Sequence, residues 1–291
     1  MATSLSSRHK DGIRLRNKQT LRHVIGGICH RARKVSPPLP HDDKCRFFCI
    51  KVRKKRNTFG LVMRTGKNRI LEVCCADLIS IQEAVEGGAQ RVELCQALDI
   101  GGTTPSADMI DHALMLGVRV HVLIRPRGGN FVYTPEETER MVQDIRMAQA
   151  KGVAGVVIGA LTAEGDIDIP TCQRLTHEAK GMSITFHRAF DECRNPSEAL
   201  EQIISLGCDR LLTSGHAPSV SEGLELLKRM VIQAGERIII LPGCGVTPEN
   251  APVIMKATGA REIHGSLRRN GHTDQKMVRQ TLLAINAESL A

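Results

Sequence analysis

The stretch from Leu71 to Cys95 reads LEVCCADLISIQEAVEGGAQRVELC, and it decides the fold prediction for the whole chain. Two short runs rich in strand-forming residues, LEVCC and QRVELC, flank the helix-like segment DLISIQEAVEGG. A strand, a helix and a second strand within about 25 residues form a minimal parallel βαβ unit, and such crossovers are nearly always right-handed. We therefore expect two neighbouring parallel strands here.

The two strands of this unit carry the same polar pattern. Glu72 and Cys74 of the first strand are repeated as Glu93 and Cys95 in the second, 21 positions later. Because side chains alternate between the faces of a strand, each Glu lies on the same face as the Cys two positions on. If the strands are neighbours, two carboxylates and two thiols converge on one side of the sheet, which is the main indication of a functional site.

Strand and helix patterns continue to alternate after this unit until eight of each have been counted. Three helices have clear predicted starts, in which a capping residue is followed by proline at the first helical position: Thr134–Pro135, Asn195–Pro196 and Thr247–Pro248. Eight alternating strands and helices predict the α/β class and a (β/α)8 TIM barrel. A doubly wound sheet is the alternative, although it does not need the eighth repeat.

Charge divides the chain into two parts. Residues 1–70 hold 19 Lys and Arg against three acidic residues, a net charge of +16, whereas the remaining 221 residues have a net charge of −7. We expect residues 1–67 to be a basic extension that is disordered or carries a nuclear or organellar targeting signal, such as KVRKKR at 51–56. Nucleic-acid contact by this extension is a further alternative. Residues 68–291 are predicted to form the barrel domain.

Composition limits the partners and the compartment. The chain has no Trp, one Tyr and six Phe, too few aromatic rings for the base stacking that single-stranded nucleic acid binding needs. It also lacks a secretory segment and an apolar run long enough to cross a membrane. The ten Cys show no disulfide-framework spacing, so we expect free thiols in the reducing cytoplasm, without membrane or nucleic-acid partners for the barrel.

Polar residues at the predicted inner face form a candidate active site. In a TIM barrel, ligands bind at the C-terminal ends of the strands. Glu72 or Glu93 is a candidate general acid or base, with His187 or His264 as its partner and Arg125 holding an anionic group. The alternative is that each is a hydrogen-bonded residue of the barrel interior, but burying several ionisable groups is costly unless they meet partners or substrate.

Two further sites are predicted on the same side of the barrel. Cys74 and Cys95 are candidate ligands of Cu(I), because soft thiolate pairs select this ion, while the alternative is that they are small buried hydrophobic residues. Gly243 and Gly245 in LPGCGVTP, with Ser266 after the eighth strand, lie where barrels often bind an anion on backbone N–H groups. Glycine-rich turns also occur there for local reasons.

The chain resembles the CutC copper-homeostasis family in the strings LEVC, GGAQRVELC, GGTTPS, IRPRGGNFVY, VIGALTAEGDID, TFHRAFDECRNP, DRLLTSG and LPGCGVT. This resemblance implies a self-associating TIM barrel that handles copper and binds Cu(I), with Cys74 and Cys95 as the ligands. The basic extension departs from the family pattern, and the segment between the eighth strand and the last helix is shorter than the resemblance implies. An enzyme that acts on a small anionic metabolite, as a hydrolase, lyase or isomerase, remains the alternative function.

Overall fold

The described part of the chain begins one residue before the first strand. The computed structural model describes residues 69–287. The predicted basic extension, residues 1–67, lies outside the described residues, so its role and its boundary with the barrel stay predictions.

Eight parallel strands form the sheet, in the spatial order β7-β6-β5-β4-β3-β2-β1-β8. They are β1 (Ile70–Cys75), β2 (Arg91–Leu94), β3 (Arg119–Leu123), β4 (Gly155–Ile158), β5 (Ser183–Phe186), β6 (Arg210–Thr213), β7 (Ile239–Pro242) and β8 (Glu262–Gly265). β1 pairs with both β2 and β8, and β7 lies against β8. The sheet is thus a nearly closed ring, which confirms the predicted (β/α)8 TIM barrel.

A helix follows each strand and covers the outside of the ring. The helices are α1 (Leu78–Gly87), α2 (Ala107–Met115), α3 (Pro135–Ala150), α4 (Ile169–Glu178), α5 (Pro196–Ser205), α6 (Leu224–Ala234), α7 (Ala251–Thr258) and α8 (Gln275–Ala287). Two short 3-10 helices (Leu98–Ile100, Arg188–Glu192) and a small hairpin of β9 (Arg268–Arg269) and β10 (His272–Thr273) lie at the C-terminal ends of strands. None of the helices within residues 69–287 combines the length and apolarity that a membrane span requires.

Two of the three predicted helix starts are confirmed. Thr134 accepts a hydrogen bond from the N–H of Glu137, whose side chain accepts in return from the N–H of Thr134, and this reciprocal pair forms a capping box. Asn195 caps α5 through the N–H of Glu198, with Pro196 at the first helical position. These caps supply acceptors for N–H groups that have no partner within the helix.

The third predicted start is wrong by one turn, since α7 begins at Ala251 and not at Pro248. The side chain of Asn250 accepts from the N–H of Thr247 at 2.8 Å, and the hydroxyl of Thr247 accepts from the N–H of Asn250 at 3.3 Å. This pair closes a turn around Pro248 that precedes the helix. The N–H of Ala251 bonds to the carbonyl of Thr247, but Pro252 has no N–H to continue this helical ladder, so the regular helix begins only at Ala251.

Ionic side chains fill the lower part of the barrel interior, toward the N-terminal ends of the strands. Arg91 is fully buried and forms salt bridges with Glu72 and Glu262, and Glu262 also pairs with Arg210 at 2.8 Å. Val73 and Val92 point the other way, into the aliphatic layer beneath the helices. At the N-terminal ends of the strands the sheet is therefore aliphatic outside and ionic inside, and this ionic layer forms the base on which the residues at the strand ends are held.

Candidate functional site

A cavity of about 1050 Å³ opens at the C-terminal ends of the strands, where the fold predicts the ligand site. Its size is in the range of pockets that enclose a small molecule. The sequence-predicted residues that line it are Cys74, Glu93, Cys95, Arg125, His187, Gly245, His264 and Ser266. Glu72 and Gly243 do not line it.

Cys74 and Cys95 face each other in this cavity. Cys74 is paired with Glu93 in the β1–β2 register, and Cys95 follows β2 directly, so that the two Sγ atoms lie 3.6 Å apart. Cys75 points to the opposite face, where its thiol donates to the carbonyl of Ser80. The hydrogen bond with Cys95 and burial raise the pKa of the Cys74 thiol well above its ordinary value. A metal ion that binds here must therefore displace a proton.

His264 lies between two carboxylates. Its Nδ1 is 2.8 Å from Oε1 of Glu72, and its Nε2 is 3.4 Å from Oε2 of Glu93. Burial opposes the charged imidazolium, but the charges of Glu93 and Glu72 outweigh burial and raise the pKa of His264. Burial also raises the pKa of Glu93. Glu93 and His264 are thus two titratable groups 3.4 Å apart at the cavity, an arrangement suited to acid–base chemistry.

Glu72 acts from beneath the cavity. It is held by Arg91 below and by His264 above, and His121 Nδ1 lies 3.7 Å from its Oε2. Burial alone would raise the pKa of Glu72, but the charge of Arg91 and the hydrogen bond with His264 bring it well below its ordinary value. Glu72 is therefore ionised and holds the His264 ring by a hydrogen bond, without lining the cavity itself.

One group of side chains in the cavity has metal-ligand spacing. The ligand atoms of Cys74, Glu93 and His264 all lie within 4.8 Å of one another. Cys95 adds a second thiol beside Cys74. A thiol pair with a carboxylate and an imidazole is a mixed donor set, in which the soft thiolates favour Cu(I) over hard cations.

Arg125 and His187 form another part of the cavity wall, just beyond the ends of β3 and β5. Gly159 makes room for the imidazole, because a Cβ there would lie 2.5 Å from Cε1 of His187. The two residues are thus held at the strand ends, as predicted. They are not part of the group formed by Cys74, Cys95, Glu93 and His264.

The predicted anion site is only partly assembled at the cavity. Gly245, with a φ of 78°, and Ser266 line it. Gly243 instead allows close packing, since a Cβ there would lie 2.6 Å from Cδ1 of Leu212 and 3.3 Å from Cβ of His264. Anion binding by Gly245 and Ser266 stays a prediction.

Sequence reasoning did not assign a role to Asp191, which organises the loop after β6. Its carboxylate accepts from the N–H groups of Ser214 and His216 at 3.0 and 3.2 Å, and from Arg188 at 2.8 Å. The string FHRAFD marked the residue, but its loop partners lie more than 20 positions further on, so the sequence offered no sign of them. Asp191 is thus occupied in shaping the cavity rim.

Comparison with known proteins gives a consistent result. The model of the CutC family matches residues 69–269. A CutC family protein of Bacteroides fragilis is 51% identical over 204 residues, which are 69% of this chain and 81% of the relative. A solved Streptococcus agalactiae protein named for copper homeostasis, CutC, is 35% identical with a TM-score of 0.65, covering 68% of this chain and 98% of that one. Thiamine phosphate pyrophosphorylase of Pyrococcus furiosus shares the fold alone, at 16% identity and a TM-score of 0.52, over 78% of this chain and 98% of that enzyme.

Proposed function

The chain belongs to the CutC family, and from this premise we propose that it binds Cu(I) through the thiolates of Cys74 and Cys95 and so contributes to copper homeostasis. The observation that carries the proposal is the 3.6 Å separation of the two Sγ atoms in the cavity. Two thiolates at this distance reach the same ion, and a reducing compartment supplies copper as Cu(I).

Cu(I) affinity should increase with pH. The Cys74 thiol is protonated in the free protein, because the hydrogen bond with Cys95 and burial raise its pKa, and binding must release that proton. Each proton released makes the apparent affinity rise about tenfold per pH unit, so we expect at least this slope between about pH 6 and about pH 8. Anaerobic titration against a competing Cu(I) chelator measures it. An affinity independent of pH would show that Cys74 does not bind the ion as thiolate.

We further propose that the barrel works in the cytoplasm as a homo-oligomer, as the family resemblance implies. Free thiols, which this proposal requires, persist in a reducing compartment. Light scattering of the purified full chain would measure the oligomer size, and a single-chain mass would contradict self-association.

A second candidate function is an enzyme that acts on a small anionic metabolite. The observation that favours it is the acid–base pair of Glu93 and His264 at a cavity large enough for a small molecule. A carrier of one copper ion does not need a cavity of this size. In this function Glu93 and His264 transfer protons, and Glu72 positions the His264 ring.

If the protein is an enzyme, Glu93→Gln should lower kcat by at least about 100-fold, since general acid–base groups contribute about 10²–10⁴. Glu72→Gln should lower the pKa of His264 and move the corresponding limb of the pH–rate profile to lower pH. A screen of phosphorylated and carboxylated metabolites, run with a Cu(I) chelator present, would identify the reaction whose kcat is then compared between the variants. Turnover that is unchanged in Glu93→Gln, with Glu86→Gln on the exposed side of α1 as the control, would exclude this assignment.

A further inference from the structure

Arg125 is a buried cation for which residues 69–287 provide no ion-pair partner. The side chain is only 4% exposed, and it lines the cavity. Its Nη1 donates to the carbonyls of Ile100 and Gly102 at 3.1 and 2.9 Å, and its Nη2 donates to the carbonyl of Gly129 at 2.7 Å. These carbonyls fix the guanidinium but leave its charge without a counter-charge, although burying an unpaired charge is costly.

His187 lines the same cavity, and its ring holds a buried N–H donor. Its Nδ1 accepts from the N–H of Ala189 at 3.1 Å, which assigns the proton of the neutral ring to Nε2. Burial, and then the charge of Arg125, lower the pKa of His187 to about 3, so the ring stays neutral. The side chain is 4% exposed and lines the cavity, yet Nε2 finds no acceptor among the described residues. A buried donor of this kind is usually satisfied by a partner.

Phe131 brings the two groups together. The Cζ atom of Arg125 lies 4.7 Å from the centroid of the Phe131 ring, and the centroid of the His187 ring lies 5.0 Å from the same point. Both polar side chains therefore rest on one aromatic ring. A cation and a neutral N–H donor that pack on one aromatic ring, close enough for the charge of Arg125 to lower the pKa of His187, form a surrounding that favours an oxyanion.

We propose that Arg125 and His187 form a subsite for the oxyanion of a small molecule, either a carboxylate or a phosphate group. The oxyanion provides the missing counter-charge for Arg125 and the missing acceptor for Nε2 of His187. The cavity leaves room for the rest of the ligand near Glu93 and His264. The proposal that the ligand is a substrate rests on the second candidate function. The proposal that an oxyanion binds here does not rest on it, and neither proposal depends on copper.

Two substitutions of His187 separate its two nitrogen atoms. In His187→Asn the amide oxygen replaces Nδ1 as the acceptor for Ala189, but no donor replaces Nε2. In His187→Gln the longer amide places an N–H donor near the position of Nε2 and gives up the acceptor. A loss of binding confined to His187→Asn would identify the Nε2 donor, since both variants disturb the packing on Phe131.

The test is calorimetric titration of the metal-free full chain with inorganic phosphate and, separately, with acetate. We expect His187→Asn to weaken binding of the preferred anion about tenfold or more, and His187→Gln to stay within about threefold of the wild type. Arg229→Gln, which removes an exposed cation on α6 outside the cavity, should have no effect. The ¹⁵N-bound proton of His187 Nε2 should shift on saturation.

The comparison of phosphate with acetate distinguishes the two sources of the oxyanion. Equal weakening in both His187 variants, or no binding of either anion by the wild type up to about 50 mM, would overturn the proposal. Because the titrations use metal-free protein and need no turnover, their outcome is independent of whether Cu(I) binds and of whether a reaction is found.

Discussion

Replacing Cys74 and Cys95 together by serine should abolish tight Cu(I) binding while the barrel stays folded. The substitution keeps the size of each side chain but exchanges the soft thiolate for a hydroxyl, which Cu(I) binds poorly. Loss of a group that only orients a ligand already costs about 10–100-fold in affinity, so the loss of both ligands should exceed about 100-fold. Anaerobic competition with a Cu(I) chelator measures the affinity, and circular dichroism monitors the fold.

Cys75→Ser is the matched control for this experiment. Cys75 is buried in the same strand, but its side chain lies on the opposite face, against α1. The variant should therefore bind Cu(I) as the wild type does. If the double variant kept one tight equivalent, or if Cys75→Ser lost binding to the same extent, the thiol pair would not be the copper site. The cavity residues Glu93, Arg125 and His264 would then be the candidates for binding a metabolite.

The alternation of strand side chains was enough to predict that Cys74 and Cys95 converge. This alternation was not enough to predict how far along the barrel axis each carboxylate lies. The repeat of the Glu and Cys pattern after 21 residues suggests that Glu72 lies beside Glu93. The strand register instead pairs Glu72 with Arg91, 19 positions on. The strands of a barrel are staggered because they tilt about its axis, and this stagger places Glu93 above Glu72. The sequence alone does not give the stagger.

The contact between Glu72 and His264 also depends on the closure of the barrel. The two residues are 192 positions apart and meet because β8 returns beside β1. Both were predicted to face inward, yet their roles differ: His264 lines the cavity, whereas Glu72 supports it from beneath. The sequence analysis did not single out Arg91. A signal was present, since Arg91 precedes Glu93 by two positions and must therefore lie on the same face of the strand.

Arg91→Met should lower the free energy of unfolding at pH 7 by about 3–5 kcal/mol, the cost of removing one partner from a buried ion pair. Methionine approximates the volume of the aliphatic part, so the main loss is the counter-charge of Glu72 and part of that of Glu262. Urea unfolding followed by circular dichroism gives the change. Arg119→Met is the matched control, since Arg119 is the register partner of Arg91 on β3 but is exposed, and we expect it to change stability by less than about 0.5 kcal/mol.

The stability lost in Arg91→Met should be larger at neutral pH than at acidic pH. In the wild type the pKa of Glu72 lies below its unfolded value of about 4.3, so Glu72 adds stability above that pH, and this stability is lost as the pH falls toward the folded pKa. Without Arg91, burial dominates and favours the protonated carboxyl, so ionisation at neutral pH opposes folding. The difference between wild type and Arg91→Met should therefore be largest near pH 7 and smaller near about pH 3. A difference that did not change with pH would show that Arg91 stabilises the barrel by packing and not by neutralising Glu72.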